Sequence, residues 1–198
     1  MIEFNNLNKA TPYLIFKKKY DQAFLKKQEG IEAISISTFN KKLNEVNSRY
    51  VNLKFVNNDQ FIFFTNYNSP KSEEILTHNQ ISALIFWSSL NIQIRIRAKI
   101  NKTSKNFNYE YFKKRNIEKN ALAISSNQSK VINSYSQVVE NYNRSLKNDD
   151  LLKCPDNWGG YAFTPYYFEF WEGHESRINK REVFYKTDGA WIHSFLQP

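Results

Sequence analysis

Strict alternation of apolar and polar side chains runs through residues 92–100. In an extended chain these two sets point to opposite sides, which predicts a strand with one buried face. Comparable extended patterns recur at 31–38, 48–56, 60–66, 81–89, 161–173, where Pro165 predicts a bend, and in a C-terminal hairpin that turns at Asp188-Gly189. Strands must satisfy the backbone donors and acceptors along their edges, so these segments are expected to pair in a sheet.

Short polar turns separate the first of these segments, as in an antiparallel meander, and helical patterns interrupt the later ones. Helices are predicted over 11–28, 70–78, 105–116, 117–126 and 134–147. Antiparallel strands with inserted helices favour an α+β, mainly β, barrel or sandwich over a doubly wound parallel sheet. The 198 residues contain no repeat and no linker-like segment, so we expect a single domain over 1–198.

The net charge of +9 invites a nucleic-acid-binding interpretation, because 28 basic residues face 19 acidic ones. The basic residues, however, are 21 Lys and only 7 Arg, beside 25 Asn, which is typical of a compositional bias rather than of a binding surface. We therefore expect no nucleic-acid partner. The scarce arginines are better candidates for specific sites, since the guanidinium group binds anions in a bidentate manner.

Other counts exclude whole classes of site. A single Cys and three widely separated His argue against disulfides and against a metal centre. Only five Gly are present, without a glycine-rich phosphate loop, so a bound phosphate must be held mainly by side chains. There is no long apolar segment and no signal-peptide core, so we expect a cytoplasmic protein without a membrane partner.

Four short stretches carry side chains suited to binding anions. They are Arg49–Lys54, Thr65–Lys71 at a strand-to-helix junction, Tyr111, Arg115 and Lys119 with Gln128-Ser129, and Trp171 with Arg177 and Arg181. Each has a plainer interpretation: a solvated strand, a structural helix start, an exposed helix face, or a core tryptophan. No nucleophile elbow or paired carboxylates accompany them. Anion-binding groups without acid–base machinery indicate a phosphorylated cofactor that supplies the chemistry itself.

The C-terminal segment NWGGYAFTPYYFEFWEGHESRINKR resembles the signature region of the pyridoxamine 5′-phosphate oxidase family. Five other segments resemble motifs of that family in the same order: SRYVNLK, FFTNYNSPK, FWSSLNIQIRI, YFKKR followed by SSNQS, and WIHSFLQP. The resemblance extends from about residue 12 to 198, with an N-terminal arm and helix at 1–30 and the signature region at 155–198. It implies an FMN-binding split β-barrel that forms a homodimer with FMN at the subunit interface.

The resemblance also implies an activity and a set of site residues. The activity is oxidation of pyridoxamine or pyridoxine 5′-phosphate to pyridoxal 5′-phosphate, by hydride transfer to flavin N5 and reoxidation by O2 to H2O2. The positions that match FMN contacts are Arg49, Tyr50, Val51, Asn52, Leu53, Lys54, Phe64, Thr65, Lys71, Gln93, Gln128, Ser129, Trp171 and Arg181. Those that match substrate contacts are Lys54, Tyr111, Arg115, Lys119, Arg177 and Asn179, with Arg177 and Asn179 at the catalytic positions.

Three departures from the family pattern leave alternatives open. Asn179 replaces a His, Lys119 replaces a Ser, and Pro70 replaces a basic residue. An amide binds hydrogen-bonding partners but does not transfer protons near neutral pH. The alternatives are a related flavin oxidase with another substrate, of the phenazine-biosynthesis type, and a flavin- or B6-binding protein without turnover.

Overall fold

A computed structural model describes all 198 residues of the chain as nine strands, five α-helices and one 3-10 turn. The strands are β1 (Glu3–Asn5), β2 (Ala33–Asn40), β3 (Glu45–Asn57), β4 (Gln60–Asn66), β5 (Gln80–Trp87), β6 (Ile92–Lys102), β7 (Trp158–Glu172), β8 (Lys180–Thr187) and β9 (Ala190–Leu196). The helices are α1 (Thr11–Leu25), α2 (Pro70–Thr77), α3 (Lys105–Lys114), α4 (Ile117–Ser125) and α5 (Tyr135–Asn148). None of the helices has the length and apolar character needed to cross a lipid bilayer.

Six antiparallel strands close into a barrel. Going round it, β2 pairs with β3, β3 with β4, β4 with β7, β7 with β6, β6 with β5, and β5 again with β2. The hairpin of β8 and β9 extends the sheet outward from β7. The α+β, mainly β, antiparallel barrel expected for a split-barrel protein is therefore confirmed.

The barrel interior is filled by the apolar faces of these strands. The apolar side chains of β6 from Ile92 to Ile100 are almost completely buried, as its alternating pattern predicts. Aromatic side chains of β4 and β7 pack against them, and Phe61 stacks on Phe163 with ring centroids 5.3 Å apart. Helix α1 packs Tyr13 and Phe16 into the same core, so its apolar stripe covers one end of the barrel.

Two β-bulges interrupt the regular pairing. In β7 the register against β6 shifts between Pro165 and Tyr167, at the predicted bend. In β3 the register against β4 shifts between Leu53 and Phe55, so Lys54 is the additional residue. A bulge redirects the side chains around it, and this one lies beside the cleft described below.

The N-terminal segment differs from the sequence-based expectation. Residues 3–5, expected to be part of an arm, form a short strand that pairs in parallel with the end of β3. Helix α1 ends at Leu25, earlier than predicted, and Lys27 and Gly30 take up left-handed backbone conformations in the turn that follows. Three residues are too few to show a strand periodicity, so β1 arises from its tertiary pairing.

Candidate active site

A cleft of about 1010 Å³ lies where β3 and β4 meet α2, α3, α4 and the loop after α4. Most of the residues singled out from the sequence line it: Arg49, Tyr50, Val51, Asn52, Lys54, Phe64, Thr65, Lys71, Tyr111, Arg115, Lys119, Gln128 and Ser129. These residues come from segments as far apart as β3 and the loop at 126–129. The fold therefore brings three of the four predicted anion-binding stretches together in one cavity.

Lys71 is the centre of the first basic group in the cleft. Its side chain is buried, and Nζ donates to Thr65 Oγ1 at 2.8 Å, Ser69 Oγ at 2.9 Å and Gln128 Oε1 at 3.0 Å. It lies in the first turn of α2, where the helix dipole also favours an anion. Burial, followed by the positive charge of Arg49, lowers the pKa of Lys71 to about 8.

Arg49 is held by a carboxylate that the sequence did not single out. Its Nη2 lies 3.4 Å from Glu74 Oε2, and Nη1 donates to Thr38 Oγ1. Glu74 is buried and also accepts hydrogen bonds from Thr38 Oγ1 and from Asn47 Nδ2, the latter at 2.9 Å. Glu74 is three residues beyond Lys71 on α2, and this helical spacing was the only signal that could have linked it to the site.

Arg115 is the centre of the second basic group, and it has no counter-charge. It forms no ion pair, and its buried Nη1 atom has no hydrogen-bond partner. The titratable groups that influence it most are Tyr111 and Cys154; burial raises the pKa of both, that of the Cys154 thiol to about 11, so both are neutral at neutral pH. A buried cation left without a partner is costly, which makes this position receptive to an anion.

Aromatic rings form the wall beside Arg115. The guanidinium carbon lies 4.5 Å from the centre of the Trp158 ring. Trp158 stacks on Phe64 with centroids 5.0 Å apart, and Phe64 stacks on Tyr111 at 4.1 Å. Lys54, at the bulge of β3, and Lys119, on α4, line the same cleft.

A second set of predicted residues lies outside this cleft, on β6, β7 and β8. Gln93, Trp171 and Arg181 lie directly opposite one another on the three neighbouring strands. The buried carboxylate of Glu169 holds Arg181, accepting from Nε at 3.0 Å and from Nη2 at 2.9 Å. The same carboxylate accepts from Arg95 Nη1 and from the Tyr167 hydroxyl, both at 2.8 Å.

The loop between β7 and β8 carries Arg177 and Asn179, also outside the cleft of this chain. Arg177 is exposed, has a left-handed backbone conformation, and donates its N–H to the His174 carbonyl at 2.9 Å. Asn179 Oδ1 accepts the His174 N–H at 3.0 Å, so its amide closes the loop. The side chain of Leu53 is buried in the barrel core and does not line the cleft either.

Exposed apolar side chains lie on the outer face of the barrel, close to this second set. Tyr50 is 76% exposed and Phe86 is 55% exposed. Phe86 lies directly opposite Gln93, and Tyr50 belongs to the cleft lining. Apolar surface that connects two incomplete groups of ligand-binding residues is typical of an interface between copies of a chain.

Comparison with known proteins gives two family matches. Residues 20–142 match the model described as pyridoxamine 5′-phosphate oxidase, and residues 158–198 match the one described as the pyridoxine 5′-phosphate oxidase C-terminal dimerisation region. The pyridoxine/pyridoxamine 5′-phosphate oxidase 1 of Hydrogenovibrio crunogenus is 35% identical, over 94% of this chain and 88% of the relative. The Pelagibacter ubique pyridoxine/pyridoxamine 5′-phosphate oxidase is 33% identical, over 97% and 94%.

Two solved structures show the same fold at lower sequence identity. PhzG from Burkholderia lata 383, in complex with tetrahydrophenazine-1-carboxylic acid, superposes with a TM-score of 0.89 at 21% identity, covering 94% of this chain and 92% of that one. A pyridoxamine 5′-phosphate oxidase-related, FMN-binding protein from Nostoc punctiforme superposes with a TM-score of 0.77 at 12% identity, covering 92% and 97%.

Proposed function

Because the chain belongs to the pyridoxamine 5′-phosphate oxidase family, we propose that it is an FMN-dependent oxidase that converts pyridoxamine or pyridoxine 5′-phosphate to pyridoxal 5′-phosphate. The observation that carries the proposal is a single cleft with two separate groups of basic side chains, one around Lys71 and one around Arg115. Two phosphates must be bound in this reaction, one on the cofactor and one on the substrate. Each basic group then has one phosphate to bind.

The residues of the cleft fit a flavin mononucleotide. Lys71, Thr65, Ser69 and the start of α2 offer donors for its phosphate, with Arg49 close by. Bound flavin supplies the redox chemistry: it accepts a hydride at N5 from the substrate carbon and passes the electrons to O2, which forms H2O2. The task left to the protein is to bind, orient and shield the two ligands.

The substrate phosphate fits the second basic group. Arg115 lacks a counter-charge, and Lys54, Lys119 and the Tyr111 hydroxyl line the same part of the cleft. A phosphate dianion there neutralises the guanidinium and satisfies its free N–H. The alternative with a phenazine-type substrate rests on structural likeness at 21% identity, whereas the full-length relatives above 30% identity are B6 oxidases.

We propose that two copies of the chain complete one site together. The cleft of one copy and the Gln93, Trp171 and Arg181 row of the other then hold the same FMN, and the exposed Tyr50 and Phe86 lie between the copies. The match of residues 158–198 to a dimerisation region supports this arrangement. In such a dimer the loop with Arg177 and Asn179 belongs to the partner's cleft, where Arg177 orients the substrate ring.

The function is tested with purified protein and both phosphorylated vitamers. The protein is expected to show flavin absorption bands, to consume O2 and to form H2O2 and pyridoxal 5′-phosphate in equal amounts. Arg177→Ala should retain FMN but lose about 100-fold in kcat/KM, because substrate orientation is impaired. Lys186→Ala, an exposed cation on β8, serves as the control and should behave like the parent protein. A flavin-loaded protein whose flavin neither vitamer bleaches without oxygen would refute the proposal, and bleaching by another substrate would favour the alternative oxidase.

FMN affinity is expected to fall as the pH rises through about 8, where burial and Arg49 place the pKa of Lys71. A phosphate dianion stabilises the charged ammonium group, so binding above this pKa must take up a proton, whereas binding below it need not. One linked proton weakens binding by up to about tenfold per pH unit. Fluorescence titration of the flavin-free protein between pH 7 and 9 measures this slope.

Lys71→Arg is the matched control for this pH dependence, because a guanidinium stays protonated over the whole range. The slope should largely disappear in that variant. An equal slope in both proteins would assign the pH dependence to another group.

A further inference from the structure

We propose that Trp158 is the positioning residue that holds the Arg115 guanidinium ready for a phosphate group. This inference rests on the proposed function, since it concerns the same cleft. The guanidinium carbon lies 4.5 Å from the centre of the Trp158 ring, well within the range of a cation–π contact. No carboxylate or hydrogen-bond acceptor shares that task, because Arg115 forms no ion pair and Nη1 is unpartnered.

The contrast with the other predicted arginines carries the argument. Arg49 is held by Glu74, and Arg181 is held by Glu169. A carboxylate fixes a guanidinium well, but it also neutralises the positive charge and occupies the N–H donors that an anion needs. An aromatic face attracts the cation through its quadrupole and leaves both the net charge and the in-plane N–H groups free. Arg115 is thus oriented without losing its ability to bind a phosphate.

The Trp158 ring is itself firmly placed. It stacks on Phe64, with the planes 9° apart, and meets Phe112 edge-on at 5.0 Å. The Trp158 N–H donates to the Pro155 carbonyl at 3.0 Å, and its residue pairs with Asn66 of β4 in the barrel. A ring fixed by the barrel on one side and by α3 on the other gives Arg115 a rigid surface to lie on.

The test compares ligands that differ only in the phosphate. Pyridoxal 5′-phosphate and pyridoxal are titrated into the FMN-loaded protein and its Trp158→Leu and Trp158→Phe variants. Trp158→Leu is expected to weaken pyridoxal 5′-phosphate binding about tenfold, to raise KM for pyridoxine 5′-phosphate similarly with little change in kcat, and to leave pyridoxal binding unchanged. Trp158→Phe keeps an aromatic face and should lose only about threefold.

Two further variants separate positioning from general packing. Phe107→Leu alters the same aromatic cluster, where Phe107 stacks on Phe64, but Phe107 makes no contact with the Arg115 guanidinium; it should leave both affinities unchanged. In an Arg115→Gln background, Trp158→Leu should cause no additional loss, because Trp158 acts through that guanidinium.

Equal losses for pyridoxal 5′-phosphate and pyridoxal, or a full additional loss in the Arg115→Gln background, would overturn the inference and leave Trp158 as a packing residue. So would a Trp158→Leu variant that binds pyridoxal 5′-phosphate as well as the parent protein does. These outcomes are distinct from failure of the proposed function, which would appear as a parent protein that does not oxidise either phosphorylated vitamer.

Discussion

Replacing Arg115 by glutamine should lower kcat/KM for pyridoxine 5′-phosphate roughly 100-fold without destabilising the protein. Hydrogen bonds to a charged group contribute about 1.5–3 kcal/mol each, and a guanidinium–phosphate pair makes at least one and commonly two. A loss of about 3 kcal/mol corresponds to the expected factor. Steady-state kinetics measure it, and the loss should appear mainly in KM, because the phosphate is remote from the reacting carbon.

The unchanged stability is the more unusual half of this expectation. Most substitutions of buried groups destabilise a protein, but Arg115 is a buried cation without a counter-charge. Glutamine keeps a polar head and removes the cost of burying the charge, so the thermal midpoint of the flavin-free protein should stay the same or rise. Arg144→Gln on α5 is the control, since Arg144 is exposed and bonds only to Asn141. A clear drop in the midpoint for Arg115→Gln alone would show that the guanidinium is a structural group.

Replacing Glu169 by alanine should give the largest loss of stability. Its buried carboxylate is shared by Arg95, Arg181 and Tyr167, and removal leaves two guanidinium groups close together without their common acceptor. Breaking a buried ion pair costs about 3–5 kcal/mol. Both arginines are partly exposed to solvent, which screens the remaining charges, so a value of about 3 kcal/mol is expected. Urea unfolding measures it as a lower midpoint with an unchanged slope.

The same variant should also bind FMN less tightly, because Arg181 loses the group that orients it. Glu172→Ala is a matched control three residues along the same strand. Glu172 is partly exposed and pairs with Lys19 at 3.0 Å, an arrangement that contributes at most about 1 kcal/mol. If the two variants were equally stable, Glu169 would not be the group that holds the three strands' side chains together.

The barrel could be predicted from the sequence because its strands have one buried face each. The alternation in β6 and β5 is dictated by burial, so the residues themselves carry the information. The bend in β7 was signalled by Pro165. The bulge at Lys54 has no such marker: it comes from the pairing of β3 with β4, which a single segment does not reveal.

The candidate site could be predicted only in part, for a similar reason. Lys71, Arg115 and Arg181 belong to recognisable motifs, and the structure brings the first two into one cleft. Their partners were not recognisable, because Glu74 and Glu169 are ordinary acidic residues until the fold buries them next to an arginine. The free charge of Arg115 was hidden as well, since the absence of a partner is a property of the tertiary structure alone.

The bulge in β3 also changes what that strand can do. Leu53 and Val56 both point into the core, and the two residues between them both leave the barrel on its outside. Phe55 meets the Tyr111 ring edge-on at 5.2 Å, while Lys54 lines the cleft beside it. One added residue thus couples barrel closure to helix docking and charge placement. Any shift in how β3 and β4 pair would move the wall of the cleft together with its cation.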